Sequence, residues 1–148
     1  MLKYDGFPVV INVAGTTCNI FANWFHKPQE LIESLLLTES GSALLIGAKS
    51  RLSPDIFLYD TWGADGQSCL NLPFRERYVM TRIHAKILKD PRFKLVPVFP
   101  IAKAPDLWLE VMRDPENLKG LVYRNSKDTA EGTLYTHRYY REAPVAFQ

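Results

Sequence analysis

The sequence predicts an α+β fold, mainly antiparallel sheets with two or three packed helices. Three observations predict it. Short strand-like segments, β-branched at 7–13 and apolar runs bounded by Gly, Ser and Pro at 43–48 and 55–62, recur also at 17–24, 93–99, 118–124 and 133–140. Helix signals are fewer and scattered among them, with none of the regular alternation of a βαβ repeat. The 148 residues, 47% apolar and 12% aromatic, have the size and composition of one domain around one core.

Taken in order, residues 7–13 read FPVVINV, a β-branched run, and 17–24 alternate less cleanly. Pro28 stands where a first-turn proline is tolerated. With Glu30 behind it and leucines beyond, it predicts a helix from 28 to about 37. Strands follow at 43–48 and 55–62. A second helix is predicted from Pro73 to about 89, ending at Asp90-Pro91, with Phe74, Tyr78, Val79, Ile83 and Ile87 on the face toward the sheet and Arg75, Arg82 and Lys86 elsewhere. A third, shorter helix spans 106–112, between Pro105 and Pro115.

Charge and apolar runs exclude several classes. The 18 basic and 16 acidic side chains leave a net +2, so any nucleic-acid site is a local patch and not a global field. The longest apolar stretches, 31–37 and 43–46, fall far below the roughly 18 residues that span a bilayer. The opening MLK runs directly into KYDG with no secretory pattern, so the expectation is a soluble, cytoplasmic protein without a membrane partner. Cys18 and Cys69 are two and distant, which suits reduced thiols. His26, His84 and His137 lack metal-ligand spacing and read as structural or surface residues, and no metal ligands are assigned.

Two clusters remain. KYDG at 3–6 is a lysine followed by a turn dipeptide, a pattern expected by chance in about three of a hundred chains of this length. Its plain reading is a tight turn with a solvated amine. The sequence HRYYR at 137–141 interleaves cations with aromatics, as single-stranded nucleic-acid grooves do, although neighbours on one strand point to opposite faces. Phe57 and Tyr59, two apart on a strand, suit either a base stack or the core.

The order of segments after KYDG resembles the adenylation domain of ATP-dependent DNA ligases, within the superfamily that also holds RNA ligases and capping enzymes. CNIFANWFHKPQELIESL resembles the strand, turn and helix around that family's Ser-Arg-x-Gly motif, and SALLIGAKS lies where an Asp-Gly-Glu strand is expected. DIFLYDTWGADGQSCLNLPFRER resembles the segment in which an aromatic and an Asp end a strand and a Leu-Pro-x-x-x-Arg helix start follows. KGLVYRNSKD resembles the Glu-Gly-Leu-Val strand, and TLYTHRYYREAPVAF the final strand with its lysine pair.

The resemblance implies a single ligase-like adenylation domain over 1–148, without the family's lead-in segment and OB-fold domain. It makes Lys3 the candidate AMP-accepting lysine, with Asp5, Gly6, Tyr59, Lys119 and Arg138 as candidate nucleotide-binding residues. The implied cofactors are ATP and Mg²⁺, and the implied partners are DNA or RNA and a protein replacing the OB-fold domain. The chain also departs from the pattern. Pro8 stands where ligases often have an arginine, Ala22-Asn23 cover the Ser-Arg pair, Ala48 and Lys119 replace glutamates, and Thr136, His137 and Arg138 cover the lysine pair. An Ala orients neither a ribose hydroxyl nor a hydrated Mg²⁺, and a Glu-to-Lys change reverses charge beside the phosphates. The expectation is therefore a weakened or inactive nucleotidyltransferase; the alternative is a degenerate module that binds nucleotide, nucleic acid or protein, or a structural component of an assembly.

Overall fold

A computed structural model describes residues 1–23, 27–127 and 129, and the backbone of 138–140. The two strand segments at the start merge into one long strand, β2 (Phe7–Ala22), paired antiparallel with β3 (Glu30–Lys49). This hairpin bends in its middle, where Gly15 pairs with Gly41 but Thr17 already pairs with Leu36. Gly15, at φ 64°, supplies the left-handed backbone that the bend requires. Burial switches there from Val9, Ile11 and Val13 to Cys18, Ile20 and Ala22, and the far end returns until Asn23 N–H donates to the Pro8 carbonyl at 2.9 Å. The hairpin thus doubles over its own apolar face.

The expected helix at 28–37 is not formed; from Glu30 onward these residues belong to β3. The run LIESLLL fits a helical period and a strand period alike, and pairing with 17–22 of β2 decides between them. Every second side chain is then turned in: Glu33 and Leu35 are half-buried and Leu37 is buried, while Leu36 is 86% exposed.

Strand β4 (Ile56–Ala64) pairs with the second half of β3 and turns at Asp65-Gly66 into β5 (Gln67–Ser68). Helix α1 (Phe74–Leu88) crosses back over the sheet, and β6 (Phe93–Leu95), shorter than the segment predicted at 93–99, lies parallel to β4. Inside this unit Ile11, Leu45, Ile56 and Leu58 are fully buried, each contributing about 1.5–3 kcal/mol. A smaller antiparallel sheet has the order β1 (Leu2–Tyr4), β7 (Leu118–Tyr123), β8 (Arg138–Tyr140). Helix α2 (Ala104–Arg113), longer than the predicted 106–112, covers it through Leu107, Trp108 and Val111 against Leu2 and Leu121. Met1, Phe74, Val96 and Val122 join the two units, with Tyr4, Phe57, Tyr59 and Tyr78 packed around them. The fold is mixed α+β with mostly antiparallel sheets and, among the described residues, two α-helices. Among those residues no helix is long and apolar enough to cross a membrane.

α1 turns a different face inward from the predicted one. Phe74, Arg77, Thr81, His84 and Leu88 are buried, whereas Val79 and Ile83 are 48% and 52% exposed. His84 is structural, as expected, its Nδ1 lying 2.9 Å from the Met80 carbonyl one turn back.

The doubled hairpin is tied down by Arg92, whose guanidinium bonds both Glu33 on β3 and Asp90. Those bonds hold both carboxyls below their ordinary values of 4.5 and 3.8, against the opposing effect of burial. A depressed carboxylate contributes stability above its ordinary value and loses it as pH falls through the native one. Thermal stability is therefore expected to drop on acidification from about pH 5 toward about pH 3. In Arg92→Met the drop shrinks, at a cost of at most about 1 kcal/mol near neutrality because the groups are partly solvated. Melting curves across that range check both; an unchanged acid limb in Arg92→Met removes the assignment.

Candidate functional site

Strand β1 carries the KYDG lysine and pairs with β7 from the far end of the sequence, Leu2 opposite Leu121 and Lys3 opposite Gly120. Side chains alternate along a strand, so half-buried Lys3 shares the side of Met1, while Leu2 packs with the α2 cluster. Gly120 presents no side chain opposite the lysine. Tyr4 is fixed from the large sheet: its ring stacks on Phe57 with centroids 3.9 Å apart and planes 9° from parallel, and its N–H donates to the Tyr59 hydroxyl at 3.0 Å. Burial, and then the charge of Glu110, push the Tyr4 phenol above its usual range.

The next two residues carry the chain from one sheet to the other. Asp5 N–H donates to the Asn117 carbonyl at 2.6 Å, and its carboxylate lies 3.6 Å from Arg51. Gly6 passes so close to the Lys49 carbonyl that a Cβ would collide with it. Tyr59 is engaged with β1 as described. Ala48 lies between Pro8 and Phe57 in the sheet register. Lys119 sits beside Gly120 in β7, and its ammonium donates to the Pro115 carbonyl at 2.6 Å. Arg138 pairs by its backbone with Tyr123; its side chain, like Trp24, His26, Thr136 and His137, lies outside the described residues. The structure thus brings Lys3, Asp5, Gly6 and Tyr59 together around β1, with Lys119 one residue from the position opposite Lys3.

On the other face of β1, between the two units, lies a cavity of about 620 Å³ whose walls include Tyr4, Asp5, Asp55, Glu110 and Asp114, with Lys94 the cation among its lining residues. Lys3 does not line it. Four carboxylates against one ammonium repel a polyphosphate, so this space does not suit the triphosphate of ATP.

Sequence reasoning assigned no role to the buried ion pair of Asp60 and Arg77. Asp60, at the end of the apolar part of β4, is 1% exposed and accepts from Arg77 Nε at 2.9 Å and Nη2 at 3.2 Å, and from Arg124 Nη1 at 3.1 Å. Arg77 is fully buried and also donates to the Leu72 carbonyl at 2.6 Å. Thr61 and Thr81 exchange a hydroxyl bond at 2.7 Å beside this pair. The sequence signal was the phase of Arg77: it lies three residues after Phe74 and four before Thr81, on the stripe that continues to His84 and Leu88. No family model matches this chain, and no curated protein matches it. The ligase resemblance therefore rests on the ordered motifs of the sequence alone.

Both thiols are buried. Cys18 is pushed up to about 11, chiefly by burial and next by Glu33 and Asp90, so it stays protonated near neutral pH.

Gly6→Ala is expected to cost about 1–3 kcal/mol, because the displaced partner is backbone. Asp60→Asn leaves two guanidiniums around an amide and is expected to cost about 3–5 kcal/mol. Urea denaturation measures both. An Asp60→Asn loss below that of Gly6→Ala contradicts the central role given to the pair.

Proposed function

We propose that this chain is a nucleotidyltransferase domain of the ATP-dependent DNA ligase kind, similar in fold to the ligase adenylation core, with Lys3 as its AMP-accepting residue and its chemistry weakened. One observation carries the reading. The KYDG segment and the KGLVY segment, which resembles the strand that lies under the nucleotide in that family, form adjacent strands with Lys3 opposite Gly120. In this reading the neutral Lys3 amine attacks the α-phosphorus of ATP, the bond to pyrophosphate breaks, and a phosphoramide-linked AMP forms. That AMP then passes to the 5′-phosphate of a DNA or RNA strand. The amine must first lose its proton.

The residues present do not fit the metal that the resemblance implies. Ala48 and Lys119 stand where carboxylates are expected, and neither ligates a divalent cation. No step is derived through Mg²⁺. The loss of two such carboxylates lowers the rate by orders of magnitude.

A second reading, a binding module that keeps the fold without the reaction, is favoured by the engagement of Tyr59 and Lys119. The Tyr59 hydroxyl bonds β1 and the Lys119 ammonium bonds Pro115, so neither is presented to a ligand as the family pattern requires. On either reading a cytoplasmic setting suits the two protonated thiols.

The test is intact-mass analysis under non-acidic conditions after incubation with ATP and Mg²⁺ or Mn²⁺. The expected result is a minor fraction carrying one AMP, absent in Lys3→Ala. Absence of the adduct across metals and pH, with ATP still raising the melting temperature by a few degrees, supports the binding module instead. Neither adduct nor thermal shift overturns both.

A further inference from the structure

We propose that the outer face of α1 is a docking surface for the phosphate backbone of a nucleic acid, separate from Lys3 and independent of whether Lys3 accepts AMP. The inner face is fixed by Arg77, Thr81 and His84, so the opposite stripe is set as well: Arg75, Val79, Arg82 and Lys86, at positions i, i+4, i+7 and i+11. All four are exposed. Arg75 to Lys86 covers about 16 Å at 1.5 Å per residue, comparable to about five nucleotides of one duplex strand. Arg75 N–H donates to the Ser126 carbonyl, which brings exposed Lys127 to the start of the same stripe. Arg82 lies over the Tyr78 ring at 5.5 Å, which steadies its guanidinium without neutralising it. Glu76 flanks the stripe as an acid, and Lys89, at the helix end, is already paired with Glu39.

Folding does not account for this face. Val79 and Ile83 are β-branched, poor for a helix, and they bury little. Among cations they supply short apolar contacts beside a charged backbone. A nucleic acid fits better than a membrane: two aliphatic side chains are a small apolar payload, and the rest of the helix is locked into the protein and cannot roll to insert. The near-neutral chain as a whole makes the patch local, as a phosphate-tracking surface needs.

The test is fluorescence anisotropy with labelled single-stranded and duplex oligonucleotides between about 50 and about 200 mM salt. The expected result is binding whose log–log salt slope is about −3, from three to four phosphate contacts. Arg75→Glu/Arg82→Glu/Lys86→Glu is expected to weaken it by about a hundredfold or more and to flatten the slope. Arg75→Lys/Arg82→Lys/Lys86→Arg keeps it. If the reversal variant fails to fold by circular dichroism, Arg82→Gln/Lys86→Gln replaces it with a smaller loss in the same direction. The proposal is overturned by no binding at low salt, by undiminished binding in the folded reversal variant, or by binding to phosphatidylserine vesicles without binding to oligonucleotides.

Discussion

The carboxylate of Asp60 constrains the rest of the molecule. Placed at 1% exposure on a central strand, it has to be met by cations, and Arg77 and Arg124 meet it from two different elements. Arg77 decides the rotation of α1 about its axis, because a fully buried guanidinium bonded to Asp60 and to the Leu72 carbonyl has one workable orientation. Arg124 follows β7 directly, so the same carboxylate also fixes the small sheet against the large one. The Thr61–Thr81 bond continues this polar seam along the helix. A helix whose inward face is half polar is then specified by partners and not by apolar periodicity.

That is why the helix was legible and its face was not. Pro73, Glu76 and Asp90-Pro91 mark its ends well, and the observed span differs by a residue or so. The choice of Val79 and Ile83 as inward residues followed hydrophobicity, which loses here to the need to satisfy Asp60. The 28–37 segment failed differently. Its leucines carry no period that separates helix from strand, and the deciding partner, 17–22 of β2, is brought in by a bend at Gly15 that nothing local announces. Strands 43–48, 55–62 and 118–124 were legible because each is a short, largely apolar run, buried or half-buried on both sides and bounded by breakers.

At the candidate site, KYDG was visible as a motif, yet much of what its residues do is structural. Gly6 allows close passage of Lys49, Asp5 anchors the crossing between sheets, and Tyr59, read as a base-stacking or core residue, serves as an acceptor for the β1 backbone. None of these roles has a sequence signal, since each depends on a strand brought in from elsewhere. The resemblance named both Lys3 and Lys119 as nucleotide-contacting residues, but the pairing of Lys3 with Gly120 had no signal in the sequence. The acidic wall of the cavity beside Tyr4 was beyond reach, because its carboxylates come from three separate stretches of chain.

The pairing of β1 with β7 carries a further consequence for how the molecule comes into being. Leu2 and Lys3 are made among the first residues of this sequence and find their partners only at Leu121 and Gly120. During synthesis the doubled hairpin and α1 assemble while β1 waits, its edge unpaired, until α2 and β7 have followed. Closing so long a loop carries an entropic cost that the local hairpin does not, so the small sheet is expected to form after it. The lysine acquires its partner strand only once residues 118–121 have been made.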